Sequence, residues 1–168
     1  LAKVRDSAGE VTGVLFLAGI VFLVALGQLG LLFVLPLWLQ ATLGYNATQT
    51  GVLLLAIAIG AFIAAATTPL LARAWGTPWV IRFGLLAEIA GLVWLAIVAS
   101  SEVTGWALVP ALALYGFGVG TADPELPSLV LADTPVERSG QASGVQSTAQ
   151  ELGSTMGIAA IGTVLAFM

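Results

Sequence analysis

The sequence predicts an all-α integral membrane protein, built as a bundle of five transmembrane helices. Of its 168 residues, 59% are hydrophobic and 8% are charged, and the mean hydropathy is +1.05. Soluble domains carry about 25% charged residues, so this chain cannot cover itself with a water-exposed surface. The apolar residues form long unbroken runs and not the two-residue alternation of membrane strands, which excludes a membrane β-barrel.

Each of five apolar segments is long enough to cross the bilayer as a helix. A hydrocarbon core of about 30 Å needs roughly 20 residues in helical conformation. The connecting loops are only a few residues long, so sequential helices are expected to pack as antiparallel neighbours in a single bundle. The predicted helices cover residues 11–39, 47–72, 78–99, 106–132 and 135–167.

Residues at the segment boundaries mark where helices start. The tetrapeptide SAGE (7–10) has the pattern of a capping box before the first helix, and TPVE (134–137) has the same pattern before the fifth. Pro135 then takes the first helical position, where proline is favoured. Thr77 and Pro78 open the third helix in the same manner.

The basic residues predict the orientation of the bundle. With alternating spans, all five fall on one side of the membrane, and the opposite loops carry no base and a single acid. The positive-inside rule makes the basic side cytoplasmic, so the N-terminus is predicted inside and Met168 outside. An odd number of spans, in a chain that begins at Leu1, suggests a piece of a longer protein. The basic residues are Lys3, Arg5, Arg73, Arg82 and Arg138.

The residue types that are missing narrow the possible functions. The chain has no histidine and no cysteine, which excludes disulfides, thiolate metal sites and imidazole ligands. It shows no nucleophile–base set, no metal cluster and no phosphate-binding loop, so we expect neither an enzyme nor a bound cofactor or metal. Five basic residues do not make a nucleic-acid-binding surface.

Two carboxylates stand at the end of the fourth apolar segment. If the helix stopped near Gly120, Asp123 and Glu125 would lie in a cytoplasmic loop. A helix over residues 106–120 would span about 22 Å, too short to cross, whereas one over residues 106–132 would span about 40 Å. We therefore expect both acids within the membrane, in its cytoplasmic half.

The residues around these acids predict a broken helix. Pro124 and Pro127 each remove a backbone donor, and Gly118 and Gly120 permit bending and close helix approach. Broken helices persist in membranes only where protein or water satisfies the backbone. The pattern favours a flexible segment that lines an aqueous cleft, and a structural kink with protonated acids is the alternative.

Two further acids fall deep within predicted helices. Glu88 lies near the middle of the third helix, and Glu151 lies several turns past Gly140 in the fifth. Gln146 and Gln150 lie beside Glu151 in a polar stripe, because residues four apart share a helix face. The stripe is expected to line a cavity or the bundle interior, and hydrogen bonding between helices is the alternative reading.

Four glycines of the fifth helix form two pairs spaced four residues apart. Such pairs are typical of sites where two membrane helices pack closely. We assign no other role to them. They are Gly140 with Gly144 and Gly153 with Gly157.

No base stands at membrane depth to pair with the predicted acids. Burial disfavours the charged form of a carboxyl, so such a group is neutral when closed off and ionised when hydrated. A proton carrier needs this behaviour. Tyr115 and Phe117 could offer aromatic faces to a lipophilic cation, although membrane aromatics more often serve packing.

Two stretches of the chain carry motifs of a known family. FVLPLWLQATLGYNATQTGVLLL (33–55) resembles the start of the C-terminal half in the fourteen-helix drug:proton antiporter branch of the major facilitator superfamily, where the family signature is PLYLQ…LGY…AG. SLVLADTPVERSGQASGVQSTAQELGSTMGIAAIGTVL (128–165) resembles its penultimate-helix region. Residues 71–82 look like a degraded copy of the superfamily's basic cytoplasmic hairpin motif, and the resemblance covers about residues 11–167 in all.

The resemblance implies five of the six helices of a C-terminal bundle, without the N-terminal half and the final helix. It also implies a multi-pass protein of the bacterial inner membrane, with protons and small lipophilic or cationic compounds as substrates and the missing half as partner. In related exporters, acids in the central cavity bind protons and cations. Many relatives carry apolar or small residues where this chain has ADPELPS (122–128), which favours a cation-selective variant.

The sequence therefore predicts a partial proton-coupled drug exporter that works by alternating access. The alternative is a half-size or structural membrane module that acts as a homo-oligomer or with a partner half. A channel is weaker, because no selectivity motif or charged ring is visible. The predicted site has proton or substrate ligands (Asp123, Glu125, Glu151, Glu88), cavity-lining residues (Gln146, Gln150, Tyr115, Phe117) and helix-breaking residues (Pro124, Pro127, Gly118, Gly120).

Overall fold

A computed structural model describes residues 2–99, 104–125 and 139–166, and within these ranges the chain is all-α. Among the described residues, four helices are long and apolar enough to cross a membrane, with mean hydropathies from 1.3 to 2.5. The last helix has 28 residues but is less apolar, because glutamine, serine and threonine occupy one of its stripes. The elements are α1 (Ala2–Leu43), α2 (Ala47–Trp75), α3 (Thr77–Val98), a 3₁₀ turn (Gly105–Leu108), α4 (Val109–Ala122) and α5 (Ser139–Ala166).

Two helix boundaries differ from the sequence prediction. The SAGE pattern does not start a helix, because α1 is already helical from Ala2 onward. The regular part of α4 ends at Ala122, where the prediction continued to residue 132. Residues 123–125 form a turn, and residues 126–132, including Pro127, lie outside the described residues.

The other boundaries follow from local chemistry. Asn46 caps α2: its side chain accepts a hydrogen bond from the Gln49 N–H at 2.8 Å, and its own N–H donates to the Gln49 side chain at 3.0 Å. Gly76 turns the chain from α2 into α3 with φ of +83°, a left-handed conformation that glycine adopts without strain. The Tyr45 hydroxyl accepts a hydrogen bond from the Gly105 N–H at 3.0 Å.

The chain divides into two compact units. The first unit comprises residues 1–35 and 127–168, and the second comprises residues 36–126. Pro36, inside α1, marks the division, so most of α1 belongs to the first unit and its last turns belong to the second.

In the first unit, α1 and α5 meet at glycines. Gly153 lies against the backbone of Phe22, and Gly157 lies against that of Leu26. The two contacts advance by four residues on both helices, so α1 and α5 run parallel, as alternating spans require. The packing role predicted for Gly153 and Gly157 is confirmed. The other predicted pair, Gly140 and Gly144, has no such contact, since a side chain built there meets no described atom within 4 Å.

In the second unit, α4 packs between α2 and α3. Gly116 and Gly120 lie against the α2 backbone at Ile57 and Ala61, whereas Gly118 lies against α3 at Glu88. Residues two apart are about 200° apart around a helix, so alternate glycines face opposite neighbours. The α2 and α3 contacts are the most extensive that α4 makes.

The prediction that Gly118 and Gly120 break the helix is therefore wrong. Both lie inside the continuous helix α4, and their missing side chains let neighbouring backbones approach. The chain leaves the helix only after Ala122, in the turn that contains Pro124.

Replacing Gly116 with alanine is expected to loosen the α2–α4 contact. The added methyl group would collide with the Ile57 carbonyl oxygen, and overpacking of this kind costs about 1–3 kcal/mol. The thermal unfolding midpoint in detergent is expected to fall by several degrees. Gly51→Ala is the matched control, because a methyl group at this α2 position meets no described atom within 4 Å. Equal midpoints for the two variants would contradict the close contact.

Candidate functional site

Helices α3 and α4 run antiparallel with their backbones in close contact. A methyl group built on Gly91 would lie 2.6 Å from the Tyr115 nitrogen, and one on Gly84 would lie 2.8 Å from the Ala122 nitrogen. From one contact to the next, the contacting residue on α3 moves back by three and then four positions, and its partner on α4 moves forward by three and then four. This opposite direction is what antiparallel helices require. The contacts, in order, are Gly91 with Tyr115, Glu88 with Gly118, and Gly84 with Ala122.

This register places the carboxyl-bearing residue Glu88 in the helix–helix interface. Glu88 is 6% exposed and lies near the middle of α3, on the face that α4 covers. A charged carboxylate in the centre of a membrane helix costs at least about 2.5–3.5 kcal/mol. Gly118 has no side chain, so the α4 backbone comes directly against the Glu88 backbone. The site is therefore narrow, and largely closed to solvent by the protein itself.

Tyr115 and Asp123 flank Glu88 along α4. Counted from Gly118, Tyr115 is three residues earlier, about 4.5 Å along the axis, and Asp123 is five residues later, about 7.5 Å. Tyr115 interacts electrostatically with both Glu88 and Asp123. Its side chain is 2% exposed, and its hydroxyl has no hydrogen-bond partner among the described residues. We refer to the buried Glu88 and Tyr115, together with the half-buried Asp123, as the α3–α4 cluster.

Asp123 and Glu125 lie in the turn that ends α4. The Asp123 N–H donates to the Val119 carbonyl at 3.0 Å, and the Glu125 N–H donates to the Ala122 carbonyl at 3.1 Å. Both residues are half-buried. They follow an apolar span of 18 residues, Gly105–Ala122, that is itself long enough to be a candidate crossing.

The helix before these acids is longer than the path from residue 106 to residue 120 on which their predicted depth rests. The helical path begins at Gly105 and ends at Ala122. The path starts with a 3₁₀ turn, which rises about 2.0 Å per residue and so adds length. The acids therefore follow this span directly, and their depth in the bilayer stays a prediction.

The predicted polar stripe lies on α5. Glu151 and Gln150 are exposed, and Gln146 is half-buried. Glu151 is two residues from Gly153, so it lies on the opposite side of α5 from the contact with α1. The Glu151 carbonyl oxygen accepts a hydrogen bond from the Thr155 hydroxyl at 2.8 Å, within the helix.

Phe117 belongs to a chain of aromatic contacts. Its ring meets Phe83 edge-on with centroids 6.3 Å apart, and Phe83 meets Trp75 edge-on at 6.2 Å. Phe117 was predicted to line a cavity. In the second unit it packs against α3, which is the more ordinary role considered for it.

Two features of this region were not found from the sequence. Thr121 is fully buried, and its hydroxyl donates to the Phe117 carbonyl oxygen at 2.7 Å. The Arg82 guanidinium lies 5.1 Å from the centre of the Trp79 ring. The contact between Arg82 and Trp79 could have been predicted, because their three-residue spacing places them on one helix face.

The fold and the site together define a class of protein. Long apolar helices pack through glycines, and a carboxyl-bearing residue is buried between two of them. Ionisable residues at such positions mark ion or substrate pathways in membrane proteins. The class is that of polytopic membrane transport proteins. The sequence profile of the Major Facilitator Superfamily matches residues 4–158, and the chain belongs to this family.

Curated relatives of the chain carry names that refer to transport, efflux or resistance. It is 29% identical to the "Probable actinorhodin transporter" of Streptomyces coelicolor, over 98% of this chain and 28% of that protein. It is 27% identical to "Multidrug efflux pump LfrA" of Mycolicibacterium smegmatis, over 85% of this chain and 28% of that protein. It is 30% identical to "Multidrug resistance protein Stp" of Mycobacterium tuberculosis, over 82% of this chain and 25% of that protein.

The chain thus spans about a quarter of the length of these relatives. No solved structure matches it significantly. The names of these relatives describe transport, efflux or resistance.

The α3–α4 register can be tested by cross-linking, since the chain has no cysteine of its own. A Cβ atom built on Gly84 lies 3.0 Å from the Ala122 Cβ, close to the roughly 3.5–4.5 Å of a disulfide. The double variant Gly84→Cys/Ala122→Cys is expected to lose both free thiols on mild oxidation, as counted by maleimide–polyethylene glycol mass tagging.

The out-of-register pair Gly91→Cys/Ala122→Cys is the control for this experiment. Its α3 position lies two helical turns, about 10 Å, further along the helix. It is expected to keep both thiols. Equal cross-linking of the two pairs, or cross-linking of the control pair alone, would show that the register is wrong.

Proposed function

We propose that this chain is part of the C-terminal half of a proton-coupled drug exporter of the fourteen-helix branch, and that Glu88 carries its proton. The observation that supports this most strongly is the burial of Glu88 between α3 and α4 at 6% exposure. Asp123 and Tyr115 accompany it in the α3–α4 cluster. Asp123 and Glu125 were the first candidates predicted from the sequence and Glu88 a secondary one; the burial of Glu88 supports placing it first in this proposal.

The chemistry of a buried carboxyl suits proton coupling. In a dry interface the neutral, protonated form is favoured, because desolvation penalises the charge. When the interface hydrates, the carboxyl releases its proton and becomes an anion that attracts a cation. A protein that alternates between the two states therefore exchanges protons for a cationic compound.

The packing of α4 supports the proposal that this helix shifts during transport. Several of its contacts with α2 and α3 are made by glycines that lie directly against neighbouring backbone atoms. A small shift of α4 along α3 would change how closely the backbone covers Glu88. In secondary transporters, alternating access arises from rocking of one bundle or repeat against another around a fixed site.

Drug export as the activity is supported by the names of the relatives. Actinorhodin, multidrug efflux and multidrug resistance all appear in them. The resemblance of residues 33–55 and 128–165 to the fourteen-helix branch points to lipophilic or cationic compounds. On this proposal Glu125 and Glu151 are secondary acids, and Gln146 and Gln150 line the transport route.

The proposal also assigns a partner and a location. Because the chain spans about a quarter of its relatives' length, further helices are proposed to form the opposite wall of the cavity. They would come from an N-terminal half and a final helix, or from a second copy of the chain. The basic residues support a cytoplasmic position for the α2–α3 turn in a bacterial cell, with the N-terminus on the same side.

Neutralising Glu88 is expected to uncouple transport from protons. In proteoliposomes with an imposed pH gradient, Glu88→Gln should reduce uphill accumulation of the lipophilic cation tetraphenylphosphonium at least about tenfold and flatten its pH dependence. Exchange of labelled for unlabelled cation at equal pH should persist, because it moves no net proton. The protein is expressed with its whole reading frame.

Glu102→Gln is the matched control for Glu88→Gln, because it makes the same chemical change in the loop between the third and fourth predicted helices. It should leave both assays unchanged. Wild-type accumulation with wild-type pH dependence in Glu88→Gln would refute the assignment. Loss of exchange as well as accumulation would show that Glu88 does more than carry the proton.

The two acids of the turn after α4 are tested together. The double variant Asp123→Asn/Glu125→Gln is expected to weaken apparent affinity for tetraphenylphosphonium about tenfold, the effect of losing nearby negative charge from a partly buried site. The measurement is accumulation as a function of cation concentration at two pH values. Unchanged, pH-dependent transport by this variant would remove both residues from the site.

A further inference from the structure

A groove of about 530 Å³ lies where α2 turns into α3, formed by residues that the proposed transport chemistry does not use. Four of its five lining side chains are aromatic or aliphatic, and the fifth is a guanidinium. Trp75, at the end of α2, and Trp79, in the first turn of α3, are 56% and 63% exposed. The groove is lined by Trp75, Trp79, Arg82, Phe83 and Leu86.

Arg82 points away from α4 and towards the groove. It is exposed, and it precedes the α4-facing residue Gly84 by two positions, which places it about 200° around α3 from that contact. Its guanidinium is held over the Trp79 ring, 5.1 Å from the ring centre, in a cation–π contact. The groove therefore presents a guanidinium group beside its aromatic side chains.

An apolar stripe leads from Arg82 along the outer face of α3. Leu86, Ile89, Val93 and Ile97 follow it at helical spacings of three or four residues and are each more than half exposed. The Trp75–Phe83 contact at 6.2 Å fixes the groove wall beside the start of this stripe. Tryptophan and arginine at the end of a membrane span are typical of the headgroup level, and aliphatic residues are typical of the acyl-chain level.

We propose that this groove binds one anionic phospholipid, with its phosphate on Arg82 and one acyl chain along the Leu86–Ile97 stripe. Arginine matches a phosphate with two parallel hydrogen bonds, so the charge and the geometry of the headgroup are both complementary. A free inorganic anion would use the guanidinium but leave the stripe unused. The stripe continues from Leu86 almost to the end of α3 at Val98, which makes a lipid the better match.

Fluorescence quenching by brominated lipids tests the proposal. A variant keeps Trp79 as its single tryptophan: the other four of this chain, and every tryptophan in the rest of the reading frame, are replaced by phenylalanine, and the protein is expressed with its whole reading frame. Quenching is compared between phosphatidylglycerol and phosphatidylcholine, each brominated near the headgroup end of its acyl chains. Phosphatidylglycerol is expected to be preferred about fivefold at Trp79, the factor that one basic side chain gives beside an anionic headgroup.

Charge variants of the same single-tryptophan protein test whether Arg82 causes the preference for phosphatidylglycerol. Arg82→Gln should lower the preference to about one, and Arg82→Lys should keep part of it. Arg73→Gln removes the other arginine of the α2–α3 hairpin, which is exposed and outside the groove lining, and should leave the preference intact. Each variant is checked for an unchanged elution profile in detergent.

Three outcomes would overturn the proposal. An unchanged preference in Arg82→Gln would remove Arg82 from the site. Equal losses in Arg82→Gln and Arg73→Gln would show a general surface-charge effect and no defined site. Absence of quenching by either lipid would show that protein, and not lipid, covers the groove. None of these outcomes affects the test of Glu88, so the two proposals fail independently.

Discussion

The rest of the second unit depends on the close approach of α4 to its two neighbours. Lipid tails are as apolar as the helices, so the hydrophobic effect does not hold membrane helices together; van der Waals contact between small residues does. Gly116 and Gly120 supply that contact on the α2 side, and Gly118 supplies it on the α3 side. Because these residues alternate, one helix binds two partners at backbone distance, and the register of both interfaces is fixed together.

The position of Glu88 follows from this packing. The α3–α4 register brings its backbone against Gly118, the one residue type that leaves room there. The same helix pair buries Glu88, and on the proposed function this burial controls how readily its carboxyl ionises. The contact between Glu88 and Gly118 affects both the stability of the helix pair and the proposed proton transfer. A substitution that tightens this packing is therefore expected to reduce transport. Tyr115, fixed against Gly91 one turn away, adds a second buried oxygen to the same interface.

Composition and spacing predicted the helical class and the packing role of Gly153 and Gly157, because those features depend on local sequence alone. The family was predicted from the resemblance of residues 33–55 and 128–165 to known motifs. The glycine spacing of residues 115–120 predicted close approach, but it could not say which glycine faces which helix. Glu88 was placed at depth by its position along the segment, yet only the register with Gly118 shows what covers it. The end of α4 was misjudged because a 3₁₀ turn before Val109 lengthens the helical path, and no composition rule signals such a turn.

Helix α3 has two different faces, one that lines the groove and one that packs against α4. Arg82 and Glu88 lie six residues apart and about 120° apart around the axis, so one faces the outer groove and the other faces α4. Arginine is long and near the end of its helix, so its charge can reach the headgroup level while its stem stays in apolar surroundings. Glutamate is short and in the middle of the span, so it cannot reach water without movement of α4. On the two proposals, the permanent charge of Arg82 lies at the lipid boundary, and the carboxyl that gains and loses a proton lies in the α3–α4 interface, where a helix shift would control its access to water.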